Sequence, residues 1–167
     1  MISALEPMKK SLAAFAILIV LTATSVWADD DIPGFRIWSA GDLAVSGEDL
    51  ESGLANHLAF EKLGDFGGHY ALIVYRDASG EAEYHETETD FYVVQRGEAT
   101  LIVGGEMVDA RQTAPGELRG PSIRNGRSIR LEPGHVVNIP PTVPHQIVLD
   151  EGATFTYFIL KVKAANR

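Results

Sequence analysis

The sequence of 167 residues contains no cysteine. A disulfide framework and a lipid-modified cysteine anchor are therefore excluded, and stability has to come from the hydrophobic core. Basic residues are also scarce, because 14 Lys and Arg stand against 23 Asp and Glu and give a formal charge of −9. The two richest basic stretches, 119–130 and 161–167, lack interleaved aromatic residues and are interpreted as loop and tail charges. We therefore expect no nucleic-acid partner.

Several catalytic signatures are absent as well. The sequence has no Gly-rich phosphate-binding loop, no Gly-x-Ser-x-Gly elbow and, without cysteine, no thiol nucleophile. These absences argue against phosphoryl transfer and against serine or cysteine hydrolysis.

The first part of the chain has the pattern of an export signal. A pair of lysines precedes an apolar run over residues 11–21, and Val26 and Ala28 place small residues before a cleavage point. Cleavage after Ala28 would leave 139 residues with 12 basic and 22 acidic side chains, enough for one core. The alternative is an uncleaved anchor, although polar residues interrupt the run before the ~20 residues that a membrane span needs. We expect a signal peptide over residues 1–28 and a periplasmic or secreted mature protein with no membrane contact.

The pattern of the mature chain changes once, near residue 68. Before this point, leucines at 50, 54 and 58 recur every four residues behind Ser46, which predicts a short helix capped by that serine. After it come short β-branched and aromatic runs bounded by Gly, Pro, Asp and Asn. Many short strands without intervening helices are typical of an antiparallel sandwich or barrel. The predicted strands include residues 70–75, 91–94, 100–103, 136–139, 146–149 and 154–160.

Two dipeptides in this region predict tight turns. Gly104-Gly105 lies between two apolar runs, as in a two-residue hairpin that needs positive φ. Asn125-Gly126 predicts a hairpin that joins residues 122–124 to residues 128–131.

Two short blocks, well separated in the sequence, carry the candidate chemistry. The first runs from Glu83 through His85 to Asp90, and the second ends at His145. Residues two apart on a strand face the same side, so Glu83 and His85 point together, and a turn within residues 87–89 would bring Asp90 to that side. A fold that lays the two blocks side by side would gather all four side chains. Two imidazoles with carboxylates make a site for a divalent transition metal.

Simpler roles remain open for neighbouring residues. Glu86 and Glu88 fall on the opposite strand face from His85, and they fit a solvated acidic loop. His69 fits either a barrel-facing or a hydrogen-bonded core position, and His135 fits the rim of the fold.

The first block resembles the first motif of the cupin superfamily. Gly97 matches the closing glycine of that motif, Asp90 the glutamate and His85 the second histidine. Glu83 stands where the motif has its first histidine, which is the main departure in this block.

The second block resembles the second cupin motif. Gly134, Pro140 and His145 match its glycine, proline and histidine, whereas Thr142 replaces the inner glycine and Leu149 the final asparagine. The surrounding sequence is similar to that of small single-domain bacterial cupins.

The resemblance implies an all-β fold, a double-stranded β-helix (jelly-roll) cupin barrel with a short N-terminal helical segment. The implied organisation is a signal peptide at residues 1–28, an extension with a short helix at 29–65, the barrel at 66–162 and a tail at 163–167. The resemblance also implies a homodimer formed through edge strands.

In cupins the corresponding groups point into the mouth of the barrel. The resemblance therefore implies His85, Asp90 and His145 as ligands of a divalent transition metal, with Glu83 as a further ligand. Mn, Fe, Zn and Ni all fit such a site, and the oxygen ligand in place of one imidazole favours Mn or Fe over copper.

Three functions follow from this site. The first, which we favour, is a metal-dependent oxygenase, lyase or isomerase acting on a small polar organic molecule, with Glu83 as catalytic proton carrier. The second is a non-catalytic module that binds a small molecule or a metal in the same pocket. The third is a catalytically silent barrel that serves assembly. Acid–base catalysis by Glu83 and Asp90 without metal would leave both motif histidines without a role.

Overall fold

The structure is a computed structural model that describes residues 32–164. The predicted signal peptide and the last three residues of the predicted tail lie outside the described residues. Within the described range, no helix is long and apolar enough to cross a membrane.

The described residues form one helix and thirteen strands, in the order α1 (Ala40–Glu51), β1 (Leu58–Asp65), β2 (His69–Arg76), β3 (Ala82–His85), β4 (Glu88–Gly97), β5 (Ala99–Val103), β6 (Glu106–Val108), β7 (Arg111–Ala114), β8 (Glu117–Gly120), β9 (Ser122–Arg124), β10 (Arg127–Leu131), β11 (Val136–Ile139), β12 (His145–Val148) and β13 (Phe155–Lys163).

Two antiparallel sheets make up the barrel. The first has the strand order β1-β2-β13-β4-β11, and the second has the order β10-β5-β12-β3-β8-β7. Strands β6 and β9 form a separate two-stranded ribbon. The all-β jelly-roll prediction is confirmed. The apolar core between the sheets includes Val74, Tyr92, Val94, Leu101, Leu131, Ile139, Ile147, Phe155, Tyr157 and Ile159.

Strand β4 shows why one polar residue enters this core. Side chains alternate between the two faces of a strand, and Asp90, Tyr92 and Val94 are the buried members of the alternation. Asp90 therefore points into the barrel on the same face as two core residues.

The helix differs from its prediction. It begins after Ser39, whose Oγ accepts a hydrogen bond from the backbone N–H of Asp42 at 3.1 Å, while the Asp42 carboxylate accepts one from the backbone N–H of Ser39 at 2.9 Å. This reciprocal capping box stabilises a start seven residues before Ser46. The prediction of a cap at Ser46 is wrong, and Leu58 begins a strand instead of continuing the helix.

The first sheet also begins earlier than the predicted barrel boundary. Strand β1 pairs with β2 from Leu58 opposite Arg76 to Asp65 opposite Tyr70. The range 29–65, predicted as an extension with a helix, therefore contains an edge strand of the sheet as well.

The two predicted turns have the expected backbone but connect different partners. Gly104, Gly105 and Asn125 all have positive φ. However, β5 pairs with β10 and β6 pairs with β9, so the predicted hairpin between residues 122–124 and 128–131 is wrong. Both turns lie where the chain passes between the second sheet and the β6–β9 ribbon. Gly104-Gly105 joins β5 to β6, and Asn125-Gly126 joins β9 to β10. A side chain at Gly105 would collide with the carbonyl oxygen of Arg124, because the two turns lie against each other.

Candidate metal centre

Cross-strand neighbours in the second sheet build one side of the site. Strand β12 places His145 directly opposite Glu83 on β3. Strand β8, on the other side of β3, places Arg119 opposite Glu83 and Glu117 opposite His85. Opposite residues of an antiparallel pair have side chains on the same face of the sheet. The register alone therefore brings these five side chains together.

Asp90 reaches the site from the first sheet. A bend at residues 86–87 separates β3 from β4, so the predicted turn lies one residue earlier than expected and β4 begins at Glu88. Strand β13 pairs with β4 and places Lys161 opposite Asp90. Asp90 is fully buried, with 0% of its surface exposed.

The structure brings the four predicted ligands together. Nε2 of His85 and Nε2 of His145 each lie 3.4 Å from Oδ2 of Asp90. Oε2 of Glu83 lies 3.5 Å from Nε2 of His85. One ligand atom from each of the four residues lies within 4.8 Å of the others.

This arrangement fits a bound metal ion. Ligand atoms that share an ion at about 2.0–2.2 Å lie roughly 3.0–3.5 Å from their neighbours, which is the spacing of the closest pairs here. Nδ1 of His145 donates a hydrogen bond to the carbonyl oxygen of Val143 at 3.1 Å, which leaves the lone pair on Nε2. That Nε2 atom is buried and has no hydrogen-bond partner among residues 32–164. Buried polar atoms are normally paired, and a metal ion would satisfy this one.

Glu117 orients the second histidine of the site. Its carboxylate accepts a hydrogen bond from Nδ1 of His85 at 2.6 Å, so Nε2 of that ring faces the other ligand atoms. A carboxylate on the outer nitrogen of a histidine is the usual support of a metal ligand.

Lys161 is an unexpected member of the site. Its ammonium donates a hydrogen bond to Oδ1 of Asp90 at 2.7 Å, and the same nitrogen lies 2.9 Å from Nε2 of His85. The side chain is only 12% exposed. The interpretation of the stretches 119–130 and 161–167 as loop and tail charges is therefore wrong for Arg119 and Lys161.

The carboxylates of the cluster are strongly acidic. Burial works to raise the pKa of Glu83, but the hydrogen bond to His85 and the positive charge of Arg119 outweigh it and lower the pKa to about 2. Burial likewise works to raise the pKa of Asp90, whereas the imidazoles of His145 and His85 beside it and the charge of Lys161 hold the pKa well below its usual value. Both groups are ionised at neutral pH and ready to bind a cation.

His85 binds a proton readily when no metal is present. Burial works to lower its pKa, but hydrogen bonds to Asp90 and Glu83 outweigh burial and raise the pKa to about 9. The 2.9 Å contact between Nε2 of His85 and the Lys161 nitrogen requires a lone pair on one of the two atoms. A proton on Nε2 of His85 and a full ammonium on Lys161 are therefore incompatible at this distance, and a metal ion would replace both.

Two cavities that share lining residues open beside the cluster. The inner one, of about 170 Å³, is lined by Glu83, Asp90, Lys161 and the aromatic ring of Tyr92, together with apolar side chains. The outer one, of about 390 Å³, shares Glu83 with the first and reaches the turn at His57. A small organic molecule in either cavity would contact Glu83, and in the inner cavity it would contact Asp90 as well.

The remaining motif positions have structural reasons. Gly97 has φ of +77°, and a side chain there would collide with the carbonyl oxygen of Thr154. Thr142, at the position of the inner motif glycine, has φ of +67°, and its N–H donates a hydrogen bond to the carbonyl oxygen of His85 at 2.8 Å. Leu149 packs into the apolar core.

The other histidines do not join the cluster. His69 stacks on Phe66 with ring centroids 4.9 Å apart, and His135 is exposed and accepts a hydrogen bond from the backbone of Glu132. Glu88 is half-buried rather than solvated, because its carboxylate accepts a hydrogen bond from the hydroxyl of Tyr70 at 3.0 Å.

Comparison with known proteins was made for sequence and for structure. No family model matches the chain, and no curated protein matches it either. An uncharacterised conserved protein with a double-stranded β-helix domain from Klebsiella pneumoniae subsp. pneumoniae has a TM-score of 0.53 at 13% identity, covering 78% of this chain and 91% of that chain. KdgF from Halomonas sp. has a TM-score of 0.49 at 17% identity, covering 67% of this chain and 85% of that chain.

DMSP lyase DddQ from Ruegeria pomeroyi has a TM-score of 0.48 at 20% identity, covering 67% of this chain and 50% of that chain. The aligned part of this chain thus spans half of that lyase. The TM-score of 0.53 with the Klebsiella pneumoniae protein shows a shared double-stranded β-helix fold, and an identity of 13% leaves the chemistry to the site. On this fold, both motif blocks of the chain meet at one cluster.

Proposed function

We propose that this protein is a metal-dependent enzyme that acts on a small polar organic molecule by oxygenase-, lyase- or isomerase-type chemistry. The observation that supports this most is the buried, unpartnered Nε2 of His145, which faces a fully buried carboxylate in Asp90. His85 and Glu83 stand beside them, and a cavity opens on the group.

In this proposal His85, His145 and Asp90 hold the ion, with Glu83 as fourth ligand. The ion, when bound, acts as a Lewis acid that polarises a substrate oxygen. Two imidazoles with two carboxylates favour Mn or Fe over copper, and Zn and Ni also fit.

Proton transfer has two candidates in the site. A general base works best when its pKa lies near the working pH, and the pKa of Glu83 is lowered to about 2. This favours Glu83 as a ligand over Glu83 as a proton carrier. Lys161 lines the cavity beside the cluster, so its ammonium is placed to donate a proton to a substrate oxygen.

The alternative function is a non-catalytic module that binds a small molecule. The observation that favours it is the ion pair between Lys161 and Asp90 at 2.7 Å. In this alternative the protein's own ammonium supplies the cation that the buried carboxylate needs, and the cavity binds a ligand without turnover.

Metal content and turnover separate these functions. We expect stoichiometric metal in the purified protein, a lower melting temperature after chelation, and recovery on addition of Mn(II) or Fe(II), because binding to the native state stabilises it. His145→Ala should lose the ion, whereas the control His135→Ala, at an exposed position, should keep it. Turnover of a member of a panel of small acids, diols and phenols would establish the enzyme. A melting temperature indifferent to chelation and metal, with no ion by elemental analysis, would exclude the metal function.

We also propose that the protein is exported and that residues 1–28 are removed. The proposal is supported by the apolar run and by the small residues Val26 and Ala28. N-terminal sequencing of protein recovered from the periplasm or medium should begin at Asp29. A mature product that retains Met1 or Met8 would contradict it.

A homodimer through edge strands is part of the same proposal. Both edges of the first sheet carry an exposed apolar side chain, Phe60 on β1 and Val136 on β11, each 59% exposed. Size-exclusion chromatography with light scattering tests this, and a monomer at high micromolar concentration would contradict it.

A further inference from the structure

Arg76, on β2, is a buried cation without a neighbouring counter-ion. The residue is 5% exposed, and no carboxylate oxygen of residues 32–164 lies within 4.0 Å of its guanidinium. Nη2 donates a hydrogen bond to the hydroxyl of Tyr157 at 3.2 Å, and the buried Nε has no partner in the described part of the chain. A buried charge is normally paired, so an unpaired guanidinium needs an explanation beyond the stability of the fold.

The position of Arg76 supplies that explanation. Arg76 lines both the inner and the outer cavity, and with Glu83 it is among the residues that the two cavities share. Arg76 therefore lies beside both cavities, as does Glu83 of the candidate metal centre. The other arginine that lines both cavities, Arg119, is already paired with Glu83 at 3.3 Å and with Glu117 at 3.5 Å.

The rest of the inner cavity is mainly apolar. A guanidinium next to apolar walls favours a ligand with one planar anionic group and a short hydrocarbon part. The apolar lining residues are Leu58, Phe60, Leu72, Val74 and Ile159.

The charges around the two cavities also favour an anion. Three carboxylates, Glu83, Asp90 and Glu117, lie here with three cationic side chains, Arg76, Arg119 and Lys161. Glu81, which also lines the outer cavity, is paired with Arg111 at 2.8 Å, so the charges cancel. A divalent ion on neutral histidines would leave an excess positive charge of two. A singly charged anionic ligand would reduce that excess.

We propose that Arg76 binds the carboxylate of a small organic acid and holds the rest of the acid against the metal centre. Carboxylate binding by Arg76 itself needs neither the ion nor turnover. The inference rests on the proposed function only where it makes this acid the substrate. Arg76 is then a substrate-positioning residue, and the substrate class is a short carboxylic acid.

Calorimetric titration of the whole protein with propionate and benzoate tests this, in both the metal-loaded and the chelator-treated state. The neutral amides propionamide and benzamide serve as matched ligands, and inorganic phosphate and sulfate test other oxyanions. We expect saturable binding of at least one carboxylate, at least tenfold weaker binding of its amide, and tighter binding when the ion is present. Phosphate or sulfate binding in place of both carboxylates would overturn the assignment of the ligand class.

Variants of Arg76 decide whether this side chain is responsible. Arg76→Met should weaken carboxylate binding at least tenfold. Arg76→Lys, which keeps the charge but loses the planar fork, should weaken it as well. The control Arg127→Met, at an exposed position on β10, should leave binding unchanged. Equal carboxylate affinity in wild type and Arg76→Met would overturn the proposal.

The melting temperature of the ligand-free variant excludes a purely structural role. Removing an unpaired buried charge should leave Arg76→Met as stable as wild type or more stable. A large loss of stability together with no carboxylate binding by wild type would mean that Arg76 serves the fold alone.

Metal content separates this inference from the proposed function. Arg76-dependent binding in a protein that takes up no metal would overturn only the proposed function, and metal uptake without carboxylate binding would overturn only this inference.

Discussion

The ammonium nitrogen of Lys161 lies 2.9 Å from Nε2 of His85, on the side of the ring that faces the other candidate ligands. The same ammonium lies 2.7 Å from Asp90. A metal ion that used these ligand atoms would need the space and the negative charge that Lys161 now occupies. The side chain therefore has to move when an ion binds, and it acts as a competing cation.

Lys161→Met should raise the affinity for Mn(II) at least tenfold in calorimetric titration, because the competing charge is gone. The metal-free variant should be less stable than wild type, since removing one partner of a buried ion pair typically costs ~3–5 kcal/mol. Added metal should restore the melting temperature more strongly than in wild type. The control Lys163→Met removes an exposed lysine two residues along β13 and should change neither quantity. Unchanged affinity in Lys161→Met would mean that the ion and the ammonium bind side by side.

The stability of the metal-free protein should depend on pH through His85. Its folded-state pKa of about 9 lies above the ordinary value of 6.5, so its contribution is complete below pH 6.5 and is lost as pH rises to about 9. The lowered pKa values of Glu83 and Asp90 act in the opposite sense, and their contribution is lost below about pH 4. Thermal unfolding of chelator-treated protein should therefore show greatest stability between about pH 4.5 and 6.5.

His85→Gln isolates the upper limb of that pH profile. The decrease in melting temperature between pH 6.5 and 9 should become shallower in this variant, and it should stay unchanged in the exposed control His135→Gln. An identical slope in His85→Gln and wild type would assign the alkaline loss of stability to another group.

The cluster could be predicted from sequence where local rules apply. Strand alternation places Glu83 and His85 on one face, and the turn residues before His145 mark the start of its strand. The partners of these residues follow rules that are not local. Lys161 meets Asp90 from 71 positions away, and Glu117 meets His85 from 32 positions away, because the strand register puts them opposite each other. Charge composition gives no information about register, so Lys161 was expected in a solvated tail.

The fold was predictable as a class and less so in its details. Short β-branched runs bounded by turn residues predict an antiparallel sandwich or barrel, the cupin resemblance implies a jelly roll, and the jelly roll is confirmed. The helix was misplaced because the leucine spacing matched a helical period by coincidence, whereas the capping box between Ser39 and Asp42 determines the actual start. The sequence does not single out Arg76, because a lone arginine at a strand end carries no sequence signal. Only its burial without a carboxylate partner distinguishes it.

Thr142 should be a strained position. It is a β-branched residue at φ of +67°, a region that costs a non-glycine residue roughly 1–2 kcal/mol. Thr142→Gly should relieve that strain, at an entropic cost of roughly 0.5–1 kcal/mol. We expect a gain in unfolding free energy of about 0.5–1 kcal/mol, measured by chemical denaturation. Thr142→Ala, which keeps the Cβ atom, should show no comparable gain. A loss of stability in the glycine variant would show that the threonine side chain contributes more than its backbone costs.

Glu83 is the last residue to test, because it replaces a motif histidine and faces His145 across the strand pair. As a metal ligand it should be sensitive to charge, so Glu83→Gln should weaken metal binding at least tenfold, and Glu83→His should restore binding with a changed preference among Mn, Fe, Zn and Ni. As a proton carrier, Glu83→Gln should abolish turnover while metal content stays unchanged. The control Glu81→Gln changes an exposed carboxylate two positions earlier, and such surface substitutions typically move stability by no more than ~0.5 kcal/mol. We expect the ligand result, since the pKa of Glu83 near 2 makes it a strong anion and a weak base. Full metal occupancy together with full activity in Glu83→Gln would remove this residue from the site.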